Sequence, residues 1–122
     1  MNPILKHYSR RDVQKEIVKS CTNREVAVNF GDKGFGKRPD SLQFEADVGE
    51  LAKQGATSFH ISIERWEDPL LLNSGIQKRE MDKIRIGWDL ILDADSKFLE
   101  YSKVLAYLII EALKFYNIKN IF

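Results

Sequence analysis

Gly87–Ser96, GWDLILDADS, is the stretch whose reading decides the fold. Trp88, Leu90, Ile91, Leu92 and Ala94 surround Asp89, Asp93 and Asp95 in a run too short for a confident helix. It reads as a buried strand. Side chains alternate along a strand at about 3.3 Å per residue, so Asp93 and Asp95 leave one face with their roots about 6.6 Å apart. Leu90, Leu92 and Ala94 take the other face. Two carboxylates at the end of an apolar strand repel each other and lose hydration, a cost that a divalent cation offsets. Hard oxygen donors at this spacing suit Mg²⁺ or Mn²⁺, which keep waters for a substrate phosphate to displace. The same residues also allow a plainer reading, with Asp95, followed by Ser96, as an N-cap opening the next helix and Asp93 at a solvent-facing strand end.

Outward from that stretch, 122 residues allow one domain with one core. Hydrophobic content of 43% and charged content of 30% are ordinary for a globular protein, and 19 basic residues nearly balance 18 acidic ones. A net charge of +1 neither favours nor excludes nucleic acid, because a local basic patch can coexist with a neutral total. Cys21 is the only cysteine. That excludes an internal disulfide and a cysteine-based zinc site and points to a reducing cytoplasm. No apolar run approaches the ~18 residues of a membrane span, and MNPILKHYSRR lacks the apolar region of a signal peptide.

Ser9 and Asp12 form a capping-box pattern before Val13, Ile17 and Cys21, which predicts an amphipathic helix over about residues 10–20. Its outer surface carries Arg10, Arg11, Lys15 and Lys19, which also suits a merely solvated face. Arg24–Phe30 alternates as a half-buried strand. Gly31–Asp40, GDKGFGKRPD, lacks the spacing of a phosphate-binding loop and reads as a cationic hairpin tip with Ser41–Phe44 returning as a strand. Ala46–Gln54 is a predicted helix ended by Gly55.

Ala56–Trp66 alternates cleanly, with Phe59, Ile61 and Ile63 on one face and His60, Ser62, Glu64 and Trp66 on the other. His60 with Ser62 and Glu64 makes a candidate pocket wall. A nucleophilic triad is not expected from residues that project in parallel from one strand. Ile76–Ile84 and about Lys97–Tyr116 are predicted helices, and Asn117–Phe122 reads as a turn and the first residues of a strand. The fold class that follows is α+β with α/β-type alternation, a mixed sheet and packed helices.

Tyr8–Ile17 (YSRRDVQKEI), Arg24–Val26 (REV), Gly34–Phe44 (GFGKRPDSLQF), Ser58–Leu70 (SFHISIERWEDPL), Gly87–Asp95 (GWDLILDAD) and Tyr107–Phe122 carry a resemblance over almost the whole chain. In that order they resemble the N-terminal part of the catalytic small subunit of archaeal and eukaryotic-type DNA primases, in the archaeo-eukaryotic primase superfamily. The resemblance implies part of a primase-polymerase catalytic fold, and a nucleotidyltransferase that makes primers on single-stranded DNA from nucleoside triphosphates with Mg²⁺ or Mn²⁺. It implies metal ligands at Asp93 and Asp95 and a template- or nucleotide-side pair at Arg24 and Glu25. Lys33, Lys37, Arg38 and Arg65 become candidates for phosphate or template contacts. Relatives continue into a Ser-Gly-x-x-Gly-x-His segment and a third metal-binding acid, and many carry zinc-binding cysteines. None of these stands in this sequence. The expectation is a fragment, a truncated product or half of a split enzyme, binding metal weakly and making no primers alone, with a primase large subunit or the missing C-terminal part as partner. Competing readings are a noncatalytic nucleic-acid-binding or subunit-docking module and a metal nuclease using the same carboxylates.

Overall fold

A computed structural model describes residues 1–122, which fall into two compact units, Met1–Leu90 and Ile91–Phe122. The class is mixed α and β, with five α-helices and two small sheets. In place of one mixed sheet there are two separate antiparallel pairs.

The first unit opens with α1, Pro3–Tyr8, which the sequence reading did not anticipate. Asn2 caps it by accepting from the Ile4 N–H at 2.9 Å, and Pro3 sits in the first turn, where no donor is needed. Ser9 closes this helix instead of opening the next. Its hydroxyl donates to the Leu5 carbonyl at 2.7 Å, a back-bond that competes with capping. Helix α2 spans Arg11–Ser20, and α3 spans Glu45–Lys53. Gly55, at φ +106, follows α3 in the left-handed region, as its place in the sequence led one to expect.

Strand β1, Val26–Asn29, pairs with β2, Ser58–Ile61, in the register Val26↔Ile61 to Asn29↔Ser58. Cross-strand partners share a face, so Val26, Val28, Phe59 and Ile61 point one way and Ala27, Asn29, Ser58 and His60 the other. Val26 and Val28 join Cys21, Leu42, Val48 and Ala56 in the core, covered by Ile17 and Val18 of α2, Leu51 of α3, Tyr8 and Phe59. Val26 and Val48 are fully buried, each contributing about 1.5–3 kcal/mol. On its other edge β1 is met by the chain returning through Gly34, Gly36 and Asp40. That return holds one isolated bridge, Asn29↔Phe35, and Ser41–Phe44 forms no strand.

The predicted strand Ala56–Trp66 is broken in two. A bend at Ser62 and Ile63 separates β2 from β3, Glu64–Trp66. Helix α4, Lys78–Ile84, then leads into β4, Arg85–Trp88, which pairs antiparallel with β3 through Glu64↔Trp88 and Arg65↔Gly87, with a bulge before Trp66.

Here the reading of Gly87–Ser96 as one buried strand is corrected. The strand ends at Trp88, and the last bond to its neighbour is from the Asp89 N–H to the Ile63 carbonyl at 3.0 Å. Leu90 is 77% and Ile91 61% exposed. An apolar run supplies a wish for burial but not the backbone partner that a strand requires.

In the second unit, residues 91–98 have no regular structure and α5 spans Leu99–Phe115. Its N-cap is Phe98, so the expected N-cap at Asp95 is not formed. Asn117, at φ +62, turns the chain after α5, and the expected strand at its end is not formed. No helix is long and apolar enough to cross a membrane.

Candidate functional site

In the first unit a cleft of about 460 Å³ opens between the start of β1, the returning segment, β3 and α4. Glu25 and Arg38 stand on one side, Glu64 and Trp66 on another, with Leu72, Ile76 and Met81 as the apolar wall. Glu25 is mostly covered and accepts two bonds from Arg38, from Nε at 2.9 Å and Nη2 at 3.1 Å. This fork geometry raises the Arg38 pKa above its ordinary value, chiefly through the hydrogen bonds to Glu25. Glu64 accepts from Trp88 Nε1 at 3.0 Å. The Arg85 guanidinium lies 4.8 Å from the Trp66 ring centre and 4.9 Å from that of Trp88, a cation held between two indoles. Trp66 is 2% exposed, and its Nε1 has no acceptor. The alternation sets Trp66 on the polar face with His60, Ser62 and Glu64. The bend at Ser62 and the bulge after Arg65 instead turn it inward.

Arg24, expected near the template or nucleotide, and Arg65, expected as a phosphate or template contact, converge on one carboxylate. Arg24 donates from Nη1 to the Ser62 carbonyl at 2.8 Å and is ion-paired through Nη2 with Asp89. Arg65 Nε lies 3.5 Å from the other Asp89 oxygen. Ser62, proposed for a pocket wall, is engaged by backbone: its hydroxyl accepts from the Glu25 N–H at 3.2 Å and donates to the Glu64 carbonyl at 2.6 Å. It holds the bend that separates β2 from β3. His60 is exposed and bonded to the Ser58 hydroxyl at 2.9 Å. Lys33 ends a short 3₁₀ turn, Gly31–Lys33, and Lys37 lies on the returning segment; both are exposed.

Asp93 and Asp95 belong to the second unit. Both are exposed, on a segment without regular structure. Neither has an ion-pair or hydrogen-bond partner, in contrast to Asp89. No group of three or more metal-binding side chains gathers anywhere in the chain. Two free carboxylates still fit Mg²⁺ or Mn²⁺, which bind through one or two protein carboxylates and leave the other positions to water and phosphate oxygens.

The structure therefore brings Glu25 and Arg38 together at the cleft, and Arg24 and Arg65 together at Asp89. Trp66 and Asp89 are the residues that reading by motif passed over as site members, whereas Glu64 was already a candidate for a pocket wall. Glu64 had a signal in the alternation of its strand, whereas nothing local ties Asp89 to Arg24. Compared with protein-family models, with curated proteins and with solved structures, the chain matches none.

Proposed function

We propose that the chain is the nucleotide- and template-handling part of a primase-type nucleotidyltransferase, with a partial primase-polymerase fold, acting on single-stranded DNA in the cytoplasm. The observation that carries this is the contrast within one stretch: Asp89 is taken by two arginines, while Asp93 and Asp95 are left without partners. The ordered resemblance to primase small subunits supports the same assignment.

Asp93 and Asp95 are the residues that would hold Mg²⁺ or Mn²⁺, which would supply positive charge to offset the triphosphate oxygens and to lower the pKa of a hydroxyl bound to it. In the cleft, the Glu25 and Glu64 carboxylates accept hydrogen bonds from sugar hydroxyls or base N–H groups. Trp66 and the apolar wall exclude water there. Arg38 uses two of its five donors on Glu25 and keeps others for a phosphate oxygen. Lys33, Lys37 and the half-exposed Arg65 steer the phosphate backbone. Partners of this reading are template, nucleoside triphosphates and a primase large subunit or catalytic C-terminal part.

Binding of a fluorescent ATP analogue tests it. Mn²⁺-dependent binding, weakened by Asp93→Asn, is expected; an analogue that binds equally with and without Mn²⁺, or not at all, contradicts it. A noncatalytic docking module is the second reading, favoured by the exposure of Trp88 and Leu90 in the first unit and of Ile91 and Leu92 in the second. Labelled nucleotide incorporated on a single-stranded template separates the two, and shortened template in the same assay identifies a nuclease.

A further inference from the structure

Phe35 stands in the sequence Lys33-Gly-Phe-Gly-Lys37 and is 51% exposed. The backbone on both sides of it is fixed. The Gly34 carbonyl accepts from the Phe30 N–H at 2.8 Å, and the Gly36 N–H donates to the Val28 carbonyl at 2.8 Å, so the residue between them is pinned to the edge of β1. Gly34 sits at φ +75, in the left-handed region. A Cβ at Gly36 would come within 2.8 Å of the Phe30 ring, so the return lies flush on its neighbour.

The bridge Asn29↔Phe35 sets the Phe35 side chain on the face of β1 that bears Ala27 and Asn29. His60, opposite Ala27, is on that face too, and its ring stands 5.2 Å from that of Phe35 at 77°. The His60 ring is fixed in turn by the Ser58 hydroxyl. Glycines on both sides of Phe35 have no side chain to cover the ring, and an added Cβ at Gly34 meets nothing within 4 Å. Lys33 and Lys37 are exposed and outside every ion pair, against one carboxylate, Asp32, in the same turn.

We infer that Phe35, buttressed edge-on by His60, is a stacking platform for an unpaired base of single-stranded DNA, with Lys33 and Lys37 contacting the flanking phosphates. This rests on the single-strand reading above and adds to it a base-contacting residue. Stacking on an aromatic ring is tolerant of sequence, because every base offers a π-face, while the lysine contribution depends on salt. The two components can therefore be measured apart.

Fluorescence anisotropy with labelled oligothymidylate and with an abasic strand of equal length tests the platform. Phe35→Ala is expected to weaken oligothymidylate binding about tenfold, leaving abasic binding and the salt slope unchanged; Phe35→Trp restores wild-type affinity. Lys33→Ala with Lys37→Ala weakens both ligands and lowers the salt slope. If the wild type binds oligothymidylate and Phe35→Ala binds it equally, the platform is wrong and the single-strand reading stands. Equal losses for both ligands in Phe35→Ala mean that the ring only shapes the loop, and also overturn it. A wild type that binds neither strand overturns the single-strand reading and the platform together.

Discussion

The Arg24 guanidinium is ion-paired with the carboxylate of Asp89, 65 positions later in the chain, and this pair joins the start of β1 to the end of β4. The Arg24 side chain is 15% exposed, which makes its charge costly to leave alone. Asp89→Asn is expected to lower stability by about 1–3 kcal/mol in urea unfolding. The same substitution frees two arginines, so single-strand affinity should rise and become more sensitive to salt. Unchanged stability would show that solvent already screens the pair.

The two tryptophans should separate cleanly. Trp66 is 2% and Trp88 59% exposed. Trp66→Ala empties part of the packed wall and should cost about 3–5 kcal/mol. Trp88→Ala removes one face of the Arg85 sandwich and the bond to Glu64, for about 1 kcal/mol. Acrylamide should quench the fluorescence of the Trp66→Phe protein strongly and that of the Trp88→Phe protein weakly.

Cys21 gives the pH dependence. Burial pushes its thiol up from 9.0 to about 11, with the Arg24 charge acting weakly the other way. The folded state holds this proton more tightly than the unfolded state does. The stabilisation is therefore complete below pH 9 and lost as pH rises towards 11. Denaturation midpoints measured across that range should fall more steeply for the wild type than for Cys21→Val. In the folded protein at pH 8, alkylation of Cys21 should be slow and should accelerate in urea.

Much of the fold was legible in local pattern. The alternation around Val26 and Phe59 placed β1 and β2 on their proper faces, and Gly55 marked the end of α3. Two features were not. The bend at Ser62 depends on a hydroxyl bonded to Glu25, 37 positions earlier, a contact with no trace in the periodicity of residues 56–66. The apolar residues after Asp89 had the composition of a strand, yet composition does not say whether a neighbouring backbone is present to pair with. At the candidate site the residue types were readable and their pairing was not. Arg24 and Arg65 were legible as cations, but only the folded chain shows that one aspartate holds both.

Mn²⁺ binding followed by electron paramagnetic resonance tests the central claim most directly, because free hexaaquo Mn²⁺ loses its six-line signal intensity when it binds protein. The wild type is expected to bind Mn²⁺, Asp93→Asn and Asp95→Asn each to weaken binding about tenfold or more, and Asp89→Asn to leave it unchanged. Equal Mn²⁺ affinity in the wild type and the Asp93 and Asp95 variants, or a loss confined to Asp89→Asn, would contradict the assignment of these two carboxylates to the metal.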